Sequence, residues 1–379
     1  VSLLRVAVIG VGHLGKIHAR LVRGVDGAIL VGVVDPNRDA RQAVAAELGT
    51  NAFADHAPLI GQIDAAIIAT PSRYHHAVAA DLLAHGIHVF VEKPMTLNVG
   101  DADDLIATAA ARGLVLQVGH VERFNPALIA AQPHLAEPKY IEAVRAGAYS
   151  CRSTDIGVVL DLMIHDIDVV LSLVEDEVVS IEALGAAVLG PNEDWAQARL
   201  QFARGCVANL SASRVAMQPQ RWMQVASHDR FLAIDFATRK AQLMRPSEAV
   251  LAGEIDVNTL SPAEKTHLKD HLFTDYLPTE QLRVVESNAL LEEQKQFIAA
   301  IRGAGQVSVS GRDGRRALDV AERILVDIAA HRWDGTSEGQ FGPRRDAQHA
   351  AKDTAAEPIL RGPHWHQVRR GPGRRRMAG

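Results

Sequence analysis

Residues 4–120 alternate short apolar runs with stretches whose apolar residues recur three and four positions apart. Leu4–Ile9, Ile29–Val34, Ala65–Ala69, His88–Val91 and Val115–Val118 read as strands, and 14–23, 38–48, 75–85 and 99–112 as amphipathic helices between them. This alternation predicts β-α-β units with right-handed crossovers and a doubly wound parallel sheet, an α/β arrangement. Beyond Gly119 the pattern changes. Tyr140–Val144, Val178–Leu184, Ala196–Phe202 and Cys206–Ser213 read as strands, the last two joined as a hairpin through Ala203-Arg204-Gly205. Helical periodicity appears at 157–174 and returns at 287–302 and 312–331, with Ser310-Gly311-Arg312-Asp313 as a capping segment for the last. Residues 246–285 are polar and Pro-punctuated, and their elements are weakly determined.

The expected organisation is therefore a nucleotide-binding type domain over 1–120 and an α+β domain over 121–335 with a predominantly antiparallel open sheet. Residues 336–379 lack periodicity and carry nine Lys/Arg against four Asp/Glu, a disordered basic tail by composition. The net charge of −5 thus hides an acidic body, which offers no broad footprint for nucleic acid. No apolar run is long enough to span a bilayer, and the N-terminus shows no secretory signal, so a soluble cytoplasmic protein is expected. Two cysteines, Cys151 and Cys206, form neither a disulfide framework nor a zinc pattern. The 17 histidines show no HExxH or paired Cys/His spacing, and no metal is expected.

Gly10-Val11-Gly12-His13-Leu14-Gly15 follows a strand and opens a helix, and Asp35 ends the next strand. This is the Rossmann fingerprint in its proper context. Gly10 permits the turn, Gly12 lets backbone approach a pyrophosphate, Gly15 allows close packing, and the diphosphate sits on helix N-terminal N–H groups. Asp35 can accept from both ribose hydroxyls and repels a 2′-phosphate, so NAD is the expected cofactor; Arg38 leaves some NADP use open.

Ala69-Thr70-Pro71-Ser72-Arg73-Tyr74-His75, Glu92-Lys93-Pro94 and the segment from Gly157 to His165 resemble, in order, the motifs of the glucose-fructose oxidoreductase, inositol dehydrogenase and MocA family. The resemblance covers about residues 4–335. It implies a two-domain oxidoreductase whose C-terminal open sheet serves substrate binding and often homo-oligomerisation, and a cis peptide at Lys93-Pro94. It also places Thr70, Pro71, His75 and Glu92 near the cofactor. Gly119-His120-Val121-Glu122-Arg123-Phe124-Asn125-Pro126 and Asp161-Leu162-Met163-Ile164-His165-Asp166-Ile167-Asp168 look like the UDP-N-acetylglucosamine 3-dehydrogenase subgroup. Met163, where many family members carry Gly, departs from the commoner pattern and is compatible with that subgroup. Such enzymes oxidise the sugar 3-hydroxyl to a ketone, which a partner aminotransferase converts to an amine for lipid A or related glycans.

Oxidation of a secondary alcohol needs a proton acceptor and stabilisation of developing alkoxide charge. Lys93, just past the end of a strand, is assigned to the reacting oxygen. His165 is the expected proton acceptor, with Asp161 four residues earlier on the same helix face to orient it or hold substrate hydroxyls. Asp168 reads as structural or solvated, and His76 as a capping or packing residue. His120, Glu122, Arg123 and Asn125 fall where a cleft between domains would form and are candidate substrate contacts. Arg123 could pair with a diphosphate or equally form an interdomain salt bridge. Dehydrogenation of a free sugar or inositol, and a non-catalytic NAD-binding regulator, are the competing readings.

Overall fold

The computed structural model describes residues 2–333 apart from Arg152, together with Gly335, Gly342 and Pro343. Apart from Gly342 and Pro343, the expected tail lies outside the described residues.

Strands β1 (Leu4–Ile9), β2 (Ala28–Val34), β3 (Asn51–Phe53), β4 (Ala65–Ile68), β5 (His88–Glu92) and β6 (Leu116–Gly119) form one sheet in the order β3-β2-β1-β4-β5-β6. All of its pairings are parallel. Helices α1 (His13–Val22), α2 (Arg38–Leu48), α3 (His75–Ala84) and α4 (Val99–Ala111) connect them. The central strands read as unbroken apolar runs because both faces are covered, as β4 shows with every residue buried. The three-residue β3 at the sheet edge is the one strand here that the apolar pattern does not reveal. The order in which strands are added reverses between β1 and β4, and the carboxyl ends of β1, β4 and β5 open on one crevice, where open α/β sheets bind ligands.

After α5 (Pro126–Ala131), strand β7 (Tyr140–Ala146) and helix α6 (Ile164–Leu173) come β8 (Val178–Ala186), β9 (Trp195–Phe202), β10 (Val207–Ser213), β11 (Gln220–Ala226), β12 (Phe231–Asp235) and β13 (Lys240–Met244). Short helices α7 (Glu248–Leu251) and α8 (Pro262–Asp270) precede β14 (Thr279–Gln281), and α9 (Ala289–Ile301) and α10 (Gly311–Ala330) follow. The second sheet runs β14-β13-β12-β11-β7-β10-β9-β8. It is antiparallel except where β7 pairs with β10. The expected hairpin is β9–β10. Alternating burial along β7 and β10 marks a sheet packed on one face. Ser310 and Asp313 form the capping box of α10.

The expected helix at 157–174 is not uniform. It opens as a π-helical turn over Val159–Met163 and becomes α-helical from Ile164. The wider turn changes which side chains share a face, so i,i+4 spacing no longer guarantees that Asp161 and His165 meet.

Helix α9 lies late in the chain yet belongs to the first core. Phe297 and Ile298 pack with Val6, Val8, Val33 and Phe90. Phe297 meets Phe90 edge to face at 5.9 Å, and Phe90 in turn meets His18 at 5.4 Å. A boundary at residue 120 therefore divides the sheets but not the packing. Phe297→Ala should lower unfolding free energy by about 3–5 kcal/mol, measured by denaturant titration, and should weaken the first sheet although the residue lies far outside it in sequence.

Candidate active site

The glycine turn after β1 has the shape a dinucleotide requires. Gly10 has φ +88°, and a Cβ there would stand 2.7 Å from the carbonyl oxygen of Ala69. A Cβ on Gly15 would stand 1.9 Å from the Gly10 oxygen, so α1 approaches the turn only without a side chain. At Gly12, by contrast, a Cβ would meet nothing within 4 Å. The space beside it is open, and His13 is exposed with Leu14 half-buried behind it. Asp35 accepts from the Val11 N–H at 2.9 Å and the Asn37 N–H at 2.8 Å, which ties the end of β2 to the glycine turn. Its oxygens retain lone pairs for ribose hydroxyls. This cradle and acid fit NAD. Arg41 was not anticipated. Its guanidinium donates to the carbonyls of Asp35 and Pro36 at 3.2 and 3.0 Å, holding the turn beside the acid. Arg38 is exposed.

Two loops from β4 and β5 are stapled together by His75. Its Nδ1 lies 2.8 Å from the Pro94 oxygen and its Nε2 2.9 Å from the Thr70 oxygen. Burial pushes its titration below the ordinary histidine range, despite the carbonyls that favour the charged form. Both ring nitrogens face carbonyl oxygens, a neutral ring donates to one of them, and His75 thus sits between Thr70 and the cis Lys93-Pro94 turn. His76 faces Asp104 at 2.8 Å. Glu92 is also turned inward, its Oε1 2.7 Å from His18 Nε2.

Lys93 projects from that turn to the π-helical segment. Its Nζ donates to the Asp161 carbonyl at 2.7 Å and to Asp161 Oδ1 at 3.0 Å. Asp161 therefore orients the lysine, not His165 as its spacing suggested. His165 is half-buried, and its Nδ1 has no hydrogen-bond partner. Burial, and then the neighbouring Lys93 charge, push its titration well below the usual histidine range. His120 packs edge to face against it, with ring centroids 6.3 Å apart. It is buried, neither of its nitrogens has a partner, and burial lowers its titration too.

The remaining candidate substrate contacts are occupied within the protein. Arg123 binds Asp168 through two hydrogen bonds of 2.7 and 2.9 Å, the salt-bridge alternative. Asn125 caps α5 at Ala127 N and donates to Glu122 and to the Phe236 carbonyl. Glu122 is buried and accepts from Arg145 at 2.8 Å, while Arg145 also forks onto Asp166 at 3.0 and 2.8 Å. Glu122 and Asn125 thus build the floor of the crossing between sheets, a structural correction to their expected role. Arg145 escaped sequence reasoning, although it shares the inward parity of Ile141 and Ala143 on β7. Arg221 on β11 was also missed. Its half-exposed guanidinium lies 3.6 Å from Glu122 Oε1, and its charge is felt at His165.

Residues 4–120 match the model of an oxidoreductase family with an NAD-binding Rossmann fold, and residues 136–230 match the GFO/IDH/MocA C-terminal domain. The chain is 35% identical over 328 residues to UDP-N-acetylglucosamine 3-dehydrogenase of Acidithiobacillus ferrooxidans, covering 86% of this chain and 98% of that one. A solved structure of that enzyme aligns with a TM-score of 0.75 over the same shares. Scyllo-inositol 2-dehydrogenase (NAD(+)) of Bacillus subtilis is 30% identical over 232 residues, 56% of this chain and 68% of that protein. A levoglucosan dehydrogenase solved with NADH shares the fold at 17% identity, with a TM-score of 0.72 over 86% of this chain and 97% of that one. With an NAD cradle, a lysine and histidine at its mouth, and matches along both sheets, the chain belongs to the GFO/IDH/MocA family of NAD-dependent oxidoreductases.

Proposed function

We propose that the protein oxidises the 3-hydroxyl of UDP-N-acetylglucosamine to a ketone, with NAD as the hydride acceptor. The observation that carries the chemistry is the state of Lys93. An ammonium has three protons, and Asp161 takes two, which leaves one donor of fixed direction for the substrate oxygen. NAD held by the glycine turn and Asp35 would supply the hydride acceptor. His165 accepts the hydroxyl proton, and Lys93 stabilises negative charge on the oxygen as the carbonyl forms. His120, walling the histidine, keeps water from it.

Support for the nucleotide sugar is the 35% identity over nearly the whole length of the Acidithiobacillus enzyme, together with the His120–Pro126 and Asp161–Asp168 strings. Arg221 replaces Arg123 as the residue best able to meet a diphosphate, because Arg123 is already neutralised by a buried acid. A ketone product would suit an aminotransferase acting next. The enzyme is read as cytoplasmic; no helix among the described residues is long and apolar enough to cross a membrane. It is also read as a homo-oligomer through the uncovered face of the second sheet, where Gln197, Arg199 and Gln201 are exposed.

Mixing the protein with NAD and UDP-N-acetylglucosamine, its uronic acid, inositol or glucose, with and without an aminotransferase and glutamate, tests the substrate. NADH should appear only with the UDP-sugar; turnover of inositol or glucose alone would replace the substrate. Lys93→Ala should lower kcat about 10²–10³-fold while NAD affinity, measured by fluorescence titration, stays near wild type. His165 works as the neutral ring, and its site depresses protonation, so kcat/KM should persist to pH values below about 6.5 before falling; an acid limb at or above that value would contradict the assignment. Arg221→Ala should raise KM for the UDP-sugar roughly tenfold with little change in kcat, seen in steady-state kinetics.

A further inference from the structure

A sealed polar cluster underlies the turn that carries Lys93. It draws His18 from α1, Glu92 from the end of β5 and Glu293 from α9, with one ring nitrogen and two carboxylate oxygens within 4.8 Å of one another. His18 Nε2 meets Glu92 Oε1 at 2.7 Å, and its Nδ1 meets the side-chain amide of Gln294 at 2.7 Å. Glu293 is 0% exposed, and neither of its carboxylate oxygens has a hydrogen-bond partner. The Gln117 amide, which might have served it, donates to the backbone oxygen of Glu293 at 2.9 Å instead.

An ionised carboxylate buried without a donor, beside a second carboxylate, is strongly disfavoured. Nothing nearby neutralises Glu293. Among charged groups on the elements packed against α9, Glu122 is turned to Arg145, Arg123 to Asp168, and Arg20 to Glu47, whose carboxylate also feels Lys16. On α9 itself Glu292 pairs with Lys295 on the outer side. The titratable groups left facing Glu293 are Glu92 and His18. Burial, then the Glu92 charge, accordingly push the Glu293 carboxyl well above the usual range.

We propose that Glu293 is a positioning residue of the active site: it stays a neutral acid and directs its proton toward Glu92, pinning α9 against the turn that presents Lys93 and Pro94. The Glu92 and Glu293 oxygens stand beyond direct hydrogen-bonding distance and within 4.8 Å, and under this proposal one buried water bridges that gap. The Gln294 side chain meets the second ring nitrogen, so both His18 nitrogens are engaged by Glu92 and Gln294 and neither is left to serve Glu293. The kinetic consequence rests on the reading of Lys93 as catalytic; the stability consequence does not.

The test compares Glu293→Gln, a neutral isostere, with Glu293→Ala in the full chain. Glu293→Gln should hold kcat and NAD affinity within about twofold, whereas Glu293→Ala should lower kcat roughly 10- to 100-fold with a smaller change in KM. In denaturant titrations from about pH 5 to 8, the raised carboxyl predicts stability that is full below the usual glutamate range and lost as pH rises through its folded-state value. Glu293→Gln lacks that loss, so its advantage over wild type should widen with pH. If Glu293→Gln is as damaged as Glu293→Ala and the gap to wild type does not change with pH, Glu293 acts as an anion and the proposal fails. It fails equally if elemental analysis finds a stoichiometric divalent metal that Glu293→Gln releases. The expected pH-dependent gap without turnover of any sugar would overturn the catalytic reading of the site while the state of Glu293 stood.

Discussion

The site depends on one ammonium group held in a fixed direction. Lys93 leaves the first sheet at the end of β5 and finds both of its protein acceptors on Asp161, 68 positions later, at the start of the helix that leads into the second sheet. Two short hydrogen bonds to one residue set the angle of the third N–H. Because one acceptor is a backbone carbonyl, that angle follows the π-helical turn itself, where an extra residue per turn re-aims side chains at a functional position.

The surroundings support this direction by tying up the polar groups that flank the turn. His75 clamps Thr70 to Pro94, Glu92 is drawn down to His18, and Arg145 gathers Glu122 and Asp166 beneath the crossing between the sheets. Each of these is buried, where a lost partner is expensive, so each contact resists displacement. The same burial works on His165: water and positive charge are disfavoured around it, and with Lys93 beside it the ring is favoured in its neutral form. Rigidity of the floor and the neutral state of the His165 ring thus share one cause, exclusion of water from buried polar groups.

Packing, in turn, joins segments that chain order keeps apart. Phe297 of α9 completes the core under β1 and β5, and the following residues reach β8 and α6 through α10. The sheet that binds the dinucleotide is therefore stabilised by residues at the far end of the described chain, and the crevice between the sheets is bounded by contacts from both.

Sequence alone determined the features whose physics is local. Apolar runs of four to six residues located five of the six parallel strands; only β3, three residues at an edge and too short to show a pattern, escaped them. The glycine turn and Asp35 were legible because positive φ, close approach and a terminal acid demand particular residue types at short spacing. Lys93 and His165 stand out by resemblance to the family's motifs, not by a local constraint of this kind. Tertiary structure decided what each polar residue touches. Asp161 turned to Lys93 once the helix opened into a π turn, Arg123 was spent on Asp168, Glu122 and Asn125 went to the floor, and Arg145, Arg221 and Glu293 entered from strands and a helix with no motif. A hydrogen bond across a hundred residues leaves no periodicity in the chain. Its existence depends on how two sheets and a late helix pack, and only that packing determines which charges remain free to meet a ligand.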